Sequence, residues 1–102
     1  MTTTVRVNLL STLLFATLVA GGCSSDPETA KRAFVKSGDQ YVADKKYSEA
    51  IIQYRNAIQK DPKFGEARQK LADAYVQTGD LQNAGREYLR AADLLALMDA
   101  LD

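Results

Sequence analysis

The chain has 102 residues, enough for one small domain at most. Its 13 basic and 13 acidic side chains balance, so charge gives no general reason to expect nucleic acid or an anionic surface as partner. There is no His and a single Cys, which removes the commonest general acid–base group and metal ligand and rules out an intrachain disulfide.

Residues 1–8 are polar, with Arg6 the one charged side chain among them, and a 12-residue apolar run, Leu9–Ala20, comes after them. A helix crossing a bilayer takes roughly 20 apolar residues, whereas the apolar segment of a secretory signal takes about 7–15. The run therefore predicts a signal peptide over residues 1–22. It ends in small residues and the only Cys, Ala20-Gly21-Gly22-Cys23, and polar Ser24-Ser25-Asp26 comes next. This segment resembles the lipobox of bacterial lipoproteins, with Ala20 standing where that family usually has Leu. The resemblance implies cleavage before Cys23, a diacylglycerol on its thiol, and often a further acyl chain of the palmitate class on the new amine. Two or more chains make anchoring stable, since each buried CH₂ contributes about 0.8 kcal/mol. It also implies a lipid-anchored place in the bacterial cell envelope, facing the periplasm. Ser24 after the Cys, instead of the Asp that resembles an inner-membrane retention signal in enteric bacteria, favours the outer membrane. An ordinary signal peptide with an incidental Cys, and a short uncleaved anchor, are the other readings. Cleavage removes Arg6 and leaves 12 basic against 13 acidic residues. Residues 23–28 then form the lipidated Cys and a short tether, whose stretch from Ser24 to Glu28 spans at most roughly 17 Å.

Ala, Leu, Gln, Glu, Lys and Arg dominate residues 29–102, a composition that suits helices, so this segment is expected to form an all-α domain. Aligned at an offset of 34, residues 31–64 and 65–98 are identical at eight positions, where chance gives about two; a period of 34 with helical content is the mark of a repeat fold. The identities are Ala33/Ala67, Lys36/Lys70, Asp39/Asp73, Tyr41/Tyr75, Val42/Val76, Ala50/Ala84, Tyr54/Tyr88 and Ala57/Ala91. Four helices are predicted. The first runs from about Glu28 to Ala43, with Asp26 as cap and Pro27 at the first helical position. The second covers about Tyr47–Lys60 and stops before Asp61-Pro62. The third covers about Gly65–Gln77 and ends at Thr78-Gly79, where Gly can take the left-handed cap. The fourth begins near Asp80 and runs to about Met98. Ala50, Tyr54 and Ala57, and Ala84, Tyr88, Ala91 and Leu95, make one buried stripe on the second and fourth helices. The four repeated Tyr side chains are expected in the core, with hydroxyls reaching the surface or a backbone partner.

Phe34, Ser37, Gly38, Tyr41, Ala50, Tyr54, Ala57 and Pro62, with Leu71, Ala72, Tyr75, Ala84, Tyr88 and Ala91, follow the tetratricopeptide (TPR) signature. The chain resembles that family. Ser37 replaces its usual Leu, Arg68 stands where a large apolar residue belongs, and Ala96 replaces the closing Pro. The resemblance implies two helix-turn-helix repeats, an α-solenoid of four antiparallel helices whose first helices line a peptide-binding groove. Its positions fall on Arg32, Val35, Asp39, Val42 and Ala43, and on Glu66, Gln69, Asp73, Val76 and Gln77. Asp39 and Asp73 would offer a carboxylate pair to a basic or amide-rich ligand; as ordinary exposed helix residues they would do nothing.

Two repeats are few for a solenoid, and the tail from Leu94 is apolar. A truncated array, docking of the fourth helix on a partner or second copy, and a sufficient pair of repeats are the three readings. The expected function is a membrane-anchored scaffold for protein or peptide partners, with no cofactor, no metal, no nucleic acid and no catalytic residue. Lipobox, Ser-Ser-Asp-Pro and TPR in this order resemble the TPR lipoproteins of exopolysaccharide and exosortase systems, and in outline those of outer-membrane assembly and pilus biogenesis. A structural lipoprotein that self-assembles through its apolar last helix is the alternative.

Overall fold

The structure, a computed structural model, describes residues 26–101; the expected signal peptide and Cys23, the expected site of lipid attachment, lie outside this range. Four helices follow in order: α1 (Pro27–Ala43), α2 (Tyr47–Lys60), α3 (Gly65–Gln77) and α4 (Leu81–Leu101). Each packs antiparallel against its predecessor, and the described residues contain no strand. This is the all-α, paired-hairpin architecture expected of a TPR helical solenoid. α1 opens at Pro27, inside the stretch read as tether, because Asp26 caps it: its Oδ1 accepts from the Thr29 backbone N–H at 2.6 Å. That bond also holds the Asp26 carboxyl below its ordinary pKa. Asp80 caps α4 in the same way, accepting from the Asn83 N–H at 3.2 Å. α4 extends three residues past the expected Met98.

The two hairpin turns are built alike. After α1 the Lys45 N–H reaches the Val42 carbonyl at 2.9 Å and the Lys46 N–H the Tyr41 carbonyl at 2.8 Å. After α3 the Gly79 N–H reaches Val76 at 3.0 Å and the Asp80 N–H reaches Tyr75 at 2.9 Å. These paired bonds are the Schellman closure, which needs a left-handed residue just past the helix. Gly79 takes it as expected, at φ 81°; Lys45, its equivalent 34 residues earlier, takes it at φ 59° without glycine's freedom.

Val35, Ala50, Tyr54, Ala57, Ala67, Leu71 and Ala74 form the core, with Phe34, Tyr41, Ile51, Ile58 and Tyr75 packed around it. Alanines at the contacts bring the helices close, and the Tyr54 ring, 2% exposed, fills the gap left over. Gly38 is the other half of that fit. A Cβ there would stand 2.5 Å from the Tyr54 ring edge and 2.8 Å from the next ring carbon. Gly38→Ala should therefore destabilise the fold by about 1–2 kcal/mol through overpacking, although Ala is the better helix former. A thermal melt followed by circular dichroism checks it, and a rise in melting temperature would refute the fit.

The repeat symmetry breaks at α4. Ala84 and Ala91 are buried, but Tyr88 and Leu95 are each 38% exposed, so neither is the core residue the stripe predicted. In the first repeat α3 lies over Tyr54; among the described residues no helix lies over Tyr88. Gly85 of α4 has nothing within 4 Å of the position of a Cβ, so its cost of about 1 kcal/mol relative to Ala is not offset within the described fold. No helix among the described residues is long and apolar enough to cross a membrane.

A candidate peptide-binding groove on the first helices of each repeat

At the open end of the first hairpin, α1 is tied to the α2–α3 connection. Lys31 Nζ lies 2.7 Å from Asp61 Oδ2 and 2.8 Å from Glu28 Oε2, and 4.5 Å from the centre of the Phe64 ring. Asp61, then Glu28, hold the Lys31 ammonium above its ordinary pKa, and Lys31 pulls both carboxyls below theirs. Arg32 Nε reaches Glu28 Oε1 at 2.8 Å. These contacts set the spacing of α1 and α3 at one end of the groove.

Midway along, a polar triad spans three helices. Asp39 follows Gly38 on α1, and the close approach allowed by that glycine brings the Tyr54 hydroxyl from α2 to Asp39 Oδ1 at 2.6 Å. Lys70 Nζ reaches across from α3 to both Asp39 oxygens, at 3.0 and 3.1 Å. The second repeat copies half of this: the Tyr88 hydroxyl donates to Asp73 Oδ1, and Asp73 has no ammonium or guanidinium partner among the described residues. Burial first, then the bond to Asp39, pushes the Tyr54 phenol well above the ordinary range. Tyr88 is raised too, chiefly by its bond to Asp73. Both tyrosines stay neutral donors in any physiological medium. The Tyr88 hydroxyl lies at the surface, as expected of these hydroxyls, and both hydroxyls bond carboxylates and not backbone, because the helix spacing places an acidic oxygen within reach.

Two adjoining depressions run along this face. One, of about 240 Å³, is lined by Asp39, Val42 and Tyr47 from the first repeat and by Lys70, Asp73 and Gln77 from the second. The other, of about 180 Å³, adds Arg32, Val35, Lys36 and Glu66, with Asp39 shared. The structure thus brings Arg32, Val35, Asp39, Val42, Glu66, Asp73 and Gln77 onto one groove. Val35 is 7% exposed and belongs to the core, so its methyl groups support the groove from beneath. Gln69, Val76 and Ala43 are exposed and line neither depression. Asp39 is not a free carboxylate, since Lys70 and Tyr54 already occupy it. Sequence reasoning missed Tyr47, Tyr54, Lys70 and Ala74 as groove residues. The repeated Lys36/Lys70 and the Tyr at a position where the TPR signature has Phe were the available signals: a hydroxyl in the core needs an acceptor. Among the described residues no group of three or more His, Cys, Asp or Glu could hold a metal ion.

The model of the TPR repeat family matches residues 38–79. Over this segment the chain is similar to the TPR repeat family. No curated protein matches the chain. The TPR segment takes in all of α2 and α3 and carries Asp39, Tyr54, Lys70 and Asp73, so the polar triad lies wholly inside it. TPR repeats mediate binding of protein partners, and TPR proteins are typically scaffolds without enzymatic activity. The TPR position taken by Arg68 is also explained. Its guanidinium bonds the Pro62 carbonyl through Nε at 3.0 Å and Nη2 at 2.9 Å, and Glu87 on α4 through Nη1 at 2.8 Å. A polar interlock replaces the large apolar side chain of the signature.

Proposed function

We propose that the protein is a lipid-anchored scaffold of the bacterial cell envelope, holding an extended peptide or a partner helix in the groove of α1 and α3. One observation carries this reading. The groove combines a fixed polar row, Asp39–Lys70 and Asp73, with the apolar flanks Val42, Tyr47 and Ala74. Side chains locked by one another need no ordering when a ligand arrives, and preorganisation of this kind lowers the cost of binding. Backbone amides of an extended ligand suit the Asp73 carboxylate and Gln77, and its side chains suit the apolar flanks. Cys23 after a 12-residue apolar run supports the anchor, with the outer membrane favoured by Ser24, and residues 29–102 make up the binding domain. A role in exopolysaccharide or protein export and assembly fits the order of lipobox and repeats.

Panning random displayed peptides on the full chain tests the groove. A consensus motif should emerge from the wild-type chain, and Val42→Arg, which fills the cleft between Asp39 and Asp73, should abolish its selection. Selection of the same motif by the variant would place the ligand elsewhere. The anchor is read in the same material: the wild-type chain should fractionate with membranes and carry acyl mass, and Cys23→Ser should carry none.

A further inference from the structure

We propose that the chain associates head to tail with a second copy of itself, Lys36 of one copy entering the Asp73–Tyr88 site of the next. The argument starts from the internal junction between the two repeats. There Asp39 accepts from Tyr54 of its own repeat and from Lys70 of the following one. Asp73 accepts from Tyr88 in the same manner, but its lysine position is vacant among the described residues. The lysine equivalent to Lys70 at the 34-residue offset is Lys36. It is exposed on α1 and has no carboxylate partner among the described residues. Donor and acceptor of one repeated ion pair thus stand unmatched at opposite ends of the same fold.

The surfaces around them correspond as well. α3 sits on α2 over Tyr54, Ile51 and Ile58, and the equivalent positions on α4 are Tyr88, Gly85 and Ala92, all exposed. Leu81 and Leu95, 67% and 38% exposed, extend this stripe at both ends. The room left by Gly85 is then filled by the approaching helix. On the incoming side α1 offers Ala33, Ser37 and Gln40 where α3 has Ala67, Leu71 and Ala74. That face is more polar than its internal counterpart, so the contact between copies is weaker than the contact between repeats. A heterologous contact of this kind does not close on itself and builds short linear arrays. α1 and α3 run in the same direction, each antiparallel to α2. Stacking in this register therefore keeps the N-termini of all copies on one side, as attachment to one surface requires. The proposal does not rest on the groove holding a ligand.

The test is light scattering on the full chain in detergent micelles, reading the protein mass against concentration. The wild-type mass should rise with concentration. Lys36→Glu and Asp73→Lys should each weaken association roughly tenfold, since reversing one partner turns the attraction of an exposed pair into repulsion. Mixing the two variants should restore association, because Asp73 of the first then meets Lys36 of the second. Unchanged helical circular dichroism separates this from loss of fold. A mass independent of concentration overturns the proposal. So does an oligomer indifferent to Lys36→Glu, which would mark a two-fold contact of α4 with α4, and so does a mixture that fails to reassociate although both variants are folded.

Discussion

Tyr54→Ala should lower stability by about 3–5 kcal/mol, while the same change at its repeat equivalent, Tyr88→Ala, should cost about 1–2 kcal/mol. Tyr54 is 2% exposed and Tyr88 38%. Removing the first ring opens a cavity between Gly38, Val35 and Leu71, and rigid helix backbones on three sides limit its collapse. Removing the second ring takes away a side chain that already has more than a third of its surface in water. A domain of this size holds roughly 4–11 kcal/mol in all, so the loss at Tyr54 is a large share of the total. It should lower the melting temperature by more than about 12 °C. Tyr54→Phe divides the effect: the ring stays, the bond to Asp39 goes, and Asp39 keeps Lys70, so about 1 kcal/mol is lost. Thermal melts of the three variants decide the matter. Equal costs at Tyr54 and Tyr88 would mean that α4 is covered in solution as α2 is, which would give self-association a direct energetic trace.

Several helix ends were legible because they carry a local device. Asp26-Pro27 and Asp80 start helices, Pro62 forbids one, and Gly79 supplies a left-handed residue. Lys45 shows where such reading stops. It does the work of Gly79 with a side chain that disfavours the left-handed region, and only the spacing of the apolar residues on either side located that turn. Burial was legible for the first repeat and not for the second. Tyr54 and Tyr88 stand between the same repeated alanines, Ala50/Ala84 and Ala57/Ala91, while Ile51 and Ile58 give way to Gly85 and Ala92; the rings differ in burial because a further helix lies over Tyr54 and, among the described residues, none lies over Tyr88. For the groove, the family positions named Asp39 and Asp73, and both line the same depression. The occupation of Asp39 by Tyr54 and Lys70 depends on distances between three helices, set by Gly38, Ala67 and Ala74 together. An identity at the 34-residue offset marks a residue as part of the repeat without saying whether its partner lies within its own repeat, in the next one or in another molecule.

Arg68 offers the sharpest test of how α4 is held. Breaking its pair with Glu87 by Glu87→Ala should cost about 3 kcal/mol. The two side chains are only 14% and 12% exposed and lie 2.8 Å apart. Arg68 would keep its two bonds to the Pro62 carbonyl, but its charge would be left largely desolvated. Arg68→Ala should cost a similar amount, with Glu87 retaining only the 3.2 Å contact to Arg90, a side chain 56% exposed. The double replacement Arg68→Leu with Glu87→Leu should cost far less than the sum of the two alanine variants, and need not destabilise at all. It removes two charges from a half-dry site and installs the apolar contact that the TPR signature places there. In the double-mutant cycle closed by Arg68→Ala with Glu87→Ala the coupling is likewise expected to be large, against a few tenths of a kcal/mol for independent sites. Additive costs in thermal or urea melts would show that the guanidinium and carboxylate are adequately hydrated and that packing alone seats α4. If the coupling is large, the interlock fixes α4 against α3, and with it the position from which Tyr88 presents Asp73.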